Sequence, residues 1–221
     1  MKSREFKDSV FQHFAGIAHA FSSSKRLEII DVLGQGERNV ESLAKEVSMT
    51  IANTSQHLKT LKNARLVESR KLGVQVFYQI SDDEVLSCWK GLQTLAEKRI
   101  AEIKEVTRMF FEERGGMEPI SRDELRERIQ NGNVIVLDVR PVEEYKSGHL
   151  PNAVSIPIAE LSQRLDEIPE DCEVVSYCRG PYCVLSAEAV VILRNTGRKA
   201  VRLEEGFPEW KAAGLPVKTL K

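Results

Sequence analysis

The sequence predicts two domains of different fold class: a mainly α domain that contains a helix-turn-helix and a β-hairpin, followed by an α/β domain with a mainly parallel sheet. In the first third of the chain, apolar residues recur every three or four positions, which is typical of amphipathic helices. In the second half, short apolar runs alternate with helical stretches. A length of 221 residues with 42% hydrophobic content is enough to fill two small cores.

Helices form the first part of the N-terminal domain. Apolar residues share one helical face before a triple-serine break and continue at the same spacing after it: Phe11, Phe14, Ala15, Ala18 and Phe21, then Leu27, Ile30 and Leu33. Two shorter helices, Val40 to Val47 and Ile51 to Leu61, are separated by a turn at Ser48-Met49-Thr50. This order predicts a helix-turn-helix.

A β-hairpin and a long helix complete this domain. The β-rich runs Leu66 to Ser69 and Val74 to Ile80 flank Gly73, which suits the tip of a hairpin. From Asp83 to Arg114, apolar residues recur at helical spacing without a proline, which predicts one long amphipathic helix. Its apolar stripe needs a cover, which is either a second copy of the same helix or the helix's own domain.

A glycine pair, Gly115-Gly116, and the nearby Pro119 end the long helix and mark the domain boundary. Ser121 to Glu124 form a capping box that opens the next helix. The second domain then alternates between strands Val134 to Val139, Ala153 to Ile156, Val174 to Tyr177 and Ala200 to Leu203 and helices near 141–147, 159–167 and 184–195. This alternation predicts a mainly parallel sheet with helices on its faces.

The bulk composition favours a protein of the cytoplasm. The N-terminal segment lacks the apolar run of a signal peptide, and no apolar stretch reaches the roughly 18 residues of a membrane span. The four cysteines form no CxxC pair and no Cys/His cluster, which argues against structural zinc and against a secreted disulfide framework: Cys88, Cys172, Cys178 and Cys183. We therefore expect reduced thiols and no membrane partner.

Positive charge is concentrated in the first domain, although the whole chain has a net charge of −1. Residues 1–81 hold 12 Lys and Arg against 8 Asp and Glu, and residues 50–71 contain five basic side chains against the single acid Glu68. Phosphate neutralisation needs such a patch. The second helix of a helix-turn-helix enters the major groove with its N-terminal residues leading. We expect DNA contacts from Asn53, Thr54, Ser55, Gln56, His57, Lys59, Arg70 and Lys71; the alternative is that these side chains only solvate a surface helix.

The order of these elements and the stretch SQHLKTLKNARLVESRKLGVQVFYQI resemble the ArsR family of winged-helix repressors over roughly residues 10–100. The resemblance implies a homodimer on a double-stranded DNA operator, paired through the first and last helices. It also implies a recognition helix near 51–62 and a wing near 70–76. One departure is Arg65, where the family commonly has glycine.

The metal sites of ArsR-like sensors are not matched. Metal-sensing members place thiolates on the helix that here contains Glu41 to Val47, and none of its residues is cysteine. Others pair histidine with carboxylates on the dimer helix, but the acidic residues 82–84 have no histidine nearby. Cys88 and the histidines are isolated in the sequence, so we expect no metal.

A nucleophilic thiol is predicted in the second domain. Cys178 directly follows the strand Val174 to Tyr177 and precedes a helix that starts near Val184. Ligands bind at the carboxyl ends of parallel strands, and the backbone N–H groups of a loop that enters a helix stabilise an anion. We therefore expect a depressed pKa and a thiolate at Cys178 near neutral pH. The alternative is an ordinary buried cysteine at a strand end.

Four ordered motifs resemble rhodanese domains over about residues 118–221: VLDVR at 136–140, GHLPNAV at 148–154, the Cys178 loop, and EGFPEWKAAGLPV at 205–217. The resemblance implies an α/β rhodanese-like fold in which Cys178 takes a sulfane sulfur as a persulfide. The sulfur then passes from this donor to a thiol acceptor without a cofactor. The loop backbone at Gly180, Pro181, Tyr182 and Val184 would surround the substrate. By the same resemblance, Asp138, Arg140, His149 and Trp210 hold the fold.

One departure concerns the donor. Many rhodaneses have a basic residue where this chain has Cys183, which puts thiosulfate in doubt and leaves Arg179 as the loop cation. Cys183 is instead a candidate resolving thiol that attacks the persulfide and releases sulfide. We expect a structural role for Cys172. Loops with this cysteine pair resemble those of ArsR-rhodanese fusions, as does the whole chain.

These observations predict a winged helix-turn-helix and dimerisation domain at 1–100, a helical linker and hinge at 101–117, and a rhodanese-like domain at 118–221. The favoured function is a transcriptional regulator, of repressor type, that senses or transfers sulfane sulfur at Cys178. The alternative is a sulfurtransferase whose DNA binding is not coupled to sulfur chemistry. A phosphatase or arsenate reductase is disfavoured because its anion loop must close with arginine, where this chain has Val184 and Leu185.

Overall fold

The structure is a computed structural model that describes residues 2–114, 117, 119–132 and 134–220. Contacts divide the chain into two compact units, one up to Leu95 and one from Ala96 onward. The predicted Gly115-Gly116 hinge lies outside the described residues. Within them, no helix is both long enough and apolar enough to cross a membrane.

The first unit contains most of the helices expected there and a small antiparallel sheet. Its elements are α1 (Ser3–Phe21), α2 (Ser24–Leu33), β1 (Arg38–Asn39), α3 (Val40–Glu46), α4 (Ile51–Asn63), β2 (Val67–Leu72), β3 (Gln75–Ile80) and the greater part of α5 (Asp83–Arg99). The sheet order is β1-β3-β2, and Gly73 adopts a φ of 61° at the tip of the β2–β3 hairpin. Helices α3 and α4 with this hairpin confirm the predicted winged helix-turn-helix.

Side-chain caps set the two helices of the helix-turn-helix. Asn39 accepts a hydrogen bond from the backbone N–H of Ser42, and Thr50 accepts one from Asn53. Behind them, fully buried aliphatic side chains join the helices into one core: Ile29, Ile30, Leu43, Val47, Leu58 and Leu61. The caps and this core fix the direction in which α4 presents its outer face.

Arg65 explains the glycine preference of the family at this position. It adopts a φ of 59° directly after α4, where the backbone N–H of Leu66 donates to the carbonyl of Leu61. This left-handed conformation is costly for residues with a Cβ atom and free for glycine. The departure from glycine therefore leaves local backbone strain between the recognition helix and the wing.

The prediction of one long helix from Asp83 to Arg114 is wrong at Ile100. There the backbone is extended, with φ −117° and ψ 94°, and it separates α5 from α6 (Ala101–Glu112). The break allows α6 to place Phe111 in the core of the second unit. Periodicity missed it because a single extended residue barely disturbs the apolar repeat on either side.

The second unit is built on a four-stranded parallel sheet. After α6, its elements are α7 (Arg122–Asn131), β4 (Val134–Asp138), α8 (Val142–Ser147), β5 (Val154–Ser155), α9 (Ile158–Leu161), β6 (Glu173–Tyr177), α10 (Leu185–Asn195), β7 (Ala200–Arg202) and α11 (Phe207–Ala212). The strand order is β5-β4-β6-β7 with every pair parallel, which confirms the predicted sheet. The helix expected near 159–167 is shorter: it comprises α9 and a 3-10 turn at Leu165–Glu167.

Each face of this sheet has its own core, because alternate residues of a strand point to opposite faces. One core contains Phe111, Val174 and Cys178, and the other contains Val175 and Tyr177. Strands β6 and β7 pair Ser176 with Arg202. These two side chains therefore point to the same face of the sheet as Cys178.

Candidate functional site

The carboxyl end of β6 carries the candidate nucleophile. Cys178 is the first residue after the strand, and the loop 178–184 leads directly into α10. The Cys178 side chain is only 2% exposed. A turn closed by the Cys183 N–H and the Gly180 carbonyl, 3.1 Å apart, folds the loop around it.

Several donors converge on the Cys178 sulfur. Burial alone raises the pKa of Cys178. Hydrogen bonds from the Cys183 thiol, the Ser186 hydroxyl and the backbone N–H groups of Ser186 and Gly180 outweigh this effect and lower the pKa to about 7. Ser186 Oγ lies 3.5 Å from the sulfur. Because hydrogen bonds to the charged form favour that form, Cys178 is a thiolate over part of the neutral range.

Cys183 is the proton-bearing partner in this pair. Its hydrogen bond to Cys178, its burial and the charge on Cys178 all raise the pKa of Cys183 well above the ordinary thiol value. Both thiols are free in the structure. The pair therefore contains one thiolate, at Cys178, and one thiol that donates to it.

The other thiol of this unit has a different environment. Cys172 lies just before β6, with its sulfur 3.8 Å from the carboxylate of Asp171. Partial burial and the Asp171 charge raise the pKa of Cys172. The pKa of Cys172 therefore shifts in the opposite direction to that of Cys178, and Cys172 lies outside the cysteine loop, so it is a matched control for Cys178.

Arg179, the loop cation predicted from the sequence, is paired with a carboxylate in the structure. Its guanidinium forms a bidentate ion pair with Glu144 of α8, at 2.6 to 3.1 Å, and the Glu144 side chain is fully buried. The charge of Arg179 is therefore matched by a carboxylate, and the pair anchors the loop to α8. Glu144 is 35 positions away in the sequence, so no local pattern pointed to it.

The loop backbone is held by the segment that begins at Gly206. A Cβ atom at Gly206 would lie 2.3 Å from the carbonyl carbon of Arg179 and from the nitrogen of Gly180, so only glycine fits there. The Phe207 N–H also donates to the Cys178 carbonyl at 3.1 Å. The EGFPEW motif therefore packs against the backbone of the cysteine loop and holds it in place.

The outer rim of the loop faces away from the sulfur. Pro181 is half-buried, while Tyr182 and Val184 are 44% and 39% exposed. The Tyr182 hydroxyl donates a 2.6 Å hydrogen bond to Glu97, in the last turns of α5. Both residues belong to the second unit, so this bond ties the loop to the C-terminal end of α5 within that unit.

Arg202 is a buried cation that sequence analysis missed. It is 6% exposed, lies on the same sheet face as Cys178, and places its guanidinium 3.8 Å from the centre of the Phe111 ring. Burial lowers the pKa of Arg202, and the charges of Glu204 and Cys178 oppose that effect. Arg202 lies within the predicted strand Ala200 to Leu203 and outside every motif, so the sequence pattern did not single it out.

The remaining rhodanese-like motif residues support the fold, as expected. The buried Asp138 and Arg140 form an ion pair, and Tyr177 donates a hydrogen bond to Asp138. His149 stacks on Tyr145 at 3.7 Å and contacts the Tyr145 carbonyl through Nδ1. The Trp210 ring N–H donates to the Pro216 carbonyl at 2.9 Å.

The candidate DNA-contact residues of α4 divide into two groups. Asn53, Ser55, Gln56 and Lys59 are exposed on its outer face, and His57 is half-buried. Thr54 is a correction: it is fully buried, and its hydroxyl donates to the Thr50 carbonyl, so it cannot reach a base. Helical spacing explains this, because Thr54 shares the inner face of α4 with Leu58 and Leu61.

The hairpin presents the other two candidates. Arg70 and Lys71 are exposed on β2, but Arg70 forms a bidentate ion pair with Glu37 at 2.5 and 2.6 Å. In a phosphate contact, Arg70 would have to leave or share this carboxylate, so Lys59 and Lys71 are the simpler candidates for such contacts. Glu37 is another residue that sequence analysis missed.

No group of three or more His, Cys, Asp or Glu side chains that would suit a metal ion occurs among the described residues.

Comparison with known proteins assigns both units. The model of the bacterial regulatory protein, arsR family, matches residues 23–69, and the model of the rhodanese-like domain matches residues 121–213. The chain is also similar to a sulfurtransferase of Allochromatium vinosum, with 31% identity over 99 residues, which are 44% of this chain and 92% of that protein. Among solved structures, it is similar to the homodimeric winged helix-turn-helix DNA-binding domain Mb0332 of Mycobacterium bovis, with 31% identity, a TM-score of 0.42, and coverage of 45% of this chain and 91% of the other.

One relative spans both units. The chain is 40% identical over 212 residues to the HTH-type transcriptional regulator Rv0324 of Mycobacterium tuberculosis, which covers 96% of this chain and 92% of that protein. The two family matches occur in the same order as the two units of the structure. The chain therefore belongs to the ArsR family of HTH-type transcriptional regulators, as a member whose second domain is a rhodanese-like domain.

Proposed function

We propose that this regulator is a homodimeric operator-binding repressor whose rhodanese-like domain forms a persulfide on Cys178 and uses it as a signal. The observation that carries the proposal is the buried Cys178 at the carboxyl end of β6, with its sulfur 3.5 Å from Ser186 Oγ and its pKa lowered by hydrogen bonds, in the same chain as a winged helix-turn-helix. Such a protein shares the compartment of the DNA it controls, which places it in the cytoplasm.

The chemical step needs only a thiolate and a sulfane-sulfur donor such as a hydropersulfide. The Cys178 sulfur attacks the outer sulfur of the donor, a new sulfur–sulfur bond forms, and the donor's own sulfur–sulfur bond breaks. The electron pair leaves with the donor thiolate, so the charge lost at Cys178 appears on the leaving group. A thiol acceptor takes the outer sulfur by the reverse reaction.

Cys183 offers a second fate for the persulfide. After its proton is lost, the Cys183 sulfur attacks the inner sulfur of the persulfide, a Cys178–Cys183 disulfide forms, and hydrosulfide leaves with the electron pair. The hydrogen bond between the two thiols places them close enough for this reaction. A reductant of thiol class then restores both cysteines.

Homodimerisation is supported by apolar surface that one copy leaves uncovered. On α1, large apolar side chains are more than a third exposed: Phe6, Phe11, Phe14 and Ile17. On α5 and α6 the same holds for Leu92, Leu95, Val106 and Met109. A second copy is the favoured cover, because the first and last helices pair in the ArsR fold that this chain resembles.

The Tyr182–Glu97 hydrogen bond supports coupling between the two functions. At one end of α5, Val85, Leu86 and Trp89 pack into the core of the winged-helix unit, and the Trp89 ring N–H donates to Asp31 at 3.1 Å. At the other end, Glu97 accepts from Tyr182 of the cysteine loop. A change in the loop at Cys183 therefore acts on the end of α5 that lies in the second unit, and the proposed coupling runs along this helix to its N-terminal part in the DNA-binding unit.

The first test is the mass of the protein after treatment with inorganic polysulfide. We expect one added sulfur atom on Cys178 in the wild type, which cyanide removes as thiocyanate, and none in Cys178→Ser, because a serine hydroxyl cannot hold a persulfide. Cys172→Ser is the matched control and should react as the wild type does. Equal labelling of Cys178→Ser and wild type would exclude the persulfide site.

A further inference from the structure

Two buried polar groups lie side by side beneath the cysteine loop. Ser176 is fully buried and Arg202 is 6% exposed, and the two residues are register partners on β6 and β7. Neither Ser176 Oγ nor Arg202 Nε has a hydrogen-bond partner among the described residues. Buried polar groups without partners are rare in folded proteins and point to a water, an ion or a ligand.

The other buried arginines of this unit have acceptors. Arg140 binds Asp138, Arg179 binds Glu144, and Arg198 donates to the carbonyls of Leu165 and Ile168. Arg202 differs from them because no acceptor to its side chain is seen in the described ranges. A buried guanidinium nitrogen without an acceptor is costly, so an anion that reaches Arg202 gains a charge-assisted hydrogen bond.

The surroundings of Arg202 keep its guanidinium in place. Its guanidinium carbon lies over the Phe111 ring, 3.8 Å from the ring centre, and the buried Nε has no hydrogen-bond partner among the described residues. Ser176, Cys178 and Arg202 share one face of the sheet, with Cys178 at the strand end. The charge of Cys178 is close enough to act on Arg202.

We propose that Arg202 and Ser176 form an anion subsite that selects negatively charged, inorganic sulfur donors of hydropolysulfide type for Cys178. This assignment rests on the proposed function and names its substrate class. Arg202 supplies the positive charge for the donor, because the loop cation Arg179 is paired with Glu144 and Cys183 is not basic.

The subsite fits the charge balance of the reaction. The Cys178 thiolate attacks the protonated terminal sulfur of the hydropolysulfide, and the electron pair of the broken sulfur–sulfur bond leaves with the shortened chain. Two monoanions thus become a neutral persulfide and a dianion, which then takes a proton from water. The charge develops on the end of the donor that Arg202 and Ser176 hold, so the subsite stabilises the transition state as well as the bound donor.

Alkylation of Cys178 tests the subsite without any sulfur transfer. Iodoacetate and iodoacetamide have nearly the same shape and both react with the thiolate, but only iodoacetate is an anion. The ratio of their rates at Cys178, followed by peptide mass spectrometry on the full chain, therefore reports the local positive charge. A change in the thiolate population alters both rates equally and leaves the ratio unchanged.

We expect Arg202→Gln to lower the iodoacetate-to-iodoacetamide ratio about tenfold, which corresponds to the loss of one charged hydrogen bond. Arg202→Lys should restore part of the ratio, and Ser176→Ala should lower it by about threefold while the fold is preserved. Persulfide formation from inorganic polysulfide should fall in parallel in Arg202→Gln and Ser176→Ala, whereas transfer from an uncharged organic trisulfide should not.

An unchanged ratio in both Arg202→Gln and Ser176→Ala would overturn the subsite and assign the two polar groups to a buried water. If Arg202→Gln does not fold, Arg202→Lys and Ser176→Ala decide the question. A changed ratio without any persulfide on Cys178 would instead retain the anion subsite and reject the persulfide function.

Discussion

The recognition helix with its hairpin and the cysteine loop both use charge, but they hold it differently. On α4 and β2, Lys59 and Lys71 are exposed, and the ion pair of Arg70 with Glu37 is open to solvent. At the cysteine loop, Cys178 and the Glu144 carboxylate of α8 that pairs with Arg179 are buried and depend on specific partners. Exposed charges act additively and are screened by salt. When one partner of a buried pair is removed, the other charge stays buried without compensation, and the site is destabilised.

The exposed surface should therefore respond to the number of charges removed. We expect Lys59→Ala combined with Lys71→Ala to weaken operator binding by at least about tenfold. The slope of the logarithm of the binding constant against the logarithm of the salt concentration should become shallower by about the amount that two phosphate contacts contribute. The measurement is a salt titration of binding to a duplex selected in vitro with the reduced protein.

The matched control for that pair is Lys104→Ala, an exposed lysine on α6. It should leave both the affinity and the salt slope unchanged. A double variant at Lys59 and Lys71 that retained the wild-type slope would mean that the DNA face lies elsewhere on the first unit.

The buried site should respond to a single hydrogen bond. Ser186→Ala removes a donor to the Cys178 thiolate and should move the midpoint of Cys178 reactivity from near pH 7 upward by roughly one pH unit. Below the midpoint the thiol predominates and reacts slowly; above it the thiolate predominates, so the rate rises with pH. Iodoacetamide labelling of Cys178 between pH 5 and 10 measures this curve.

Ser162 is exposed at the end of α9 and is not a donor to Cys178, so the same substitution there serves as the control. Ser162→Ala should keep the wild-type midpoint. A midpoint that did not move in Ser186→Ala would show that the backbone N–H groups of the loop and the Cys183 thiol hold the thiolate without the hydroxyl.

The smallest effect is expected at the junction between helix and wing. Arg65 has a positive φ, so Arg65→Gly removes about 1 kcal/mol of strain but adds a comparable chain entropy to the unfolded state. We expect a net gain of no more than about 0.5 kcal/mol, seen as roughly twofold slower hydrogen exchange in the last turn of α4. Arg65→Ala retains the strain and should show no such slowing; faster exchange in Arg65→Gly would contradict the strain argument.

The same contrast explains what the sequence could predict. The helix-turn-helix, the hairpin at Gly73 and the parallel strands follow from local periodicity and turn residues, and the structure confirms them. The position of Cys178 followed from its place between a strand and a helix. The partners that define its site did not, because Glu144, Ser186 and Arg202 are brought together by the tertiary fold.

Two errors have the same physical origin. Thr54 is polar, as a DNA contact requires, but its position on α4 places its side chain in the core. The helix from Asp83 to Arg114 matched one apolar repeat, yet Ile100 breaks it so that Phe111 can pack in the second unit. In both cases packing decided the outcome, and residue type alone did not.

Operator affinity before and after polysulfide treatment tests the central claim, which is that sulfur chemistry at Cys178 changes DNA binding. We predict a change of at least tenfold in the wild type, or about 1.4 kcal/mol of coupling, with none in Cys178→Ser and a reduced change in Tyr182→Phe, which loses the hydrogen bond to Glu97. Cys183→Ser separates the two signals: it keeps the response if the persulfide acts and loses it if the disulfide acts. Equal affinities of the reduced and treated wild type, with the persulfide present on Cys178, would contradict the account and leave a DNA-binding sulfurtransferase with uncoupled domains.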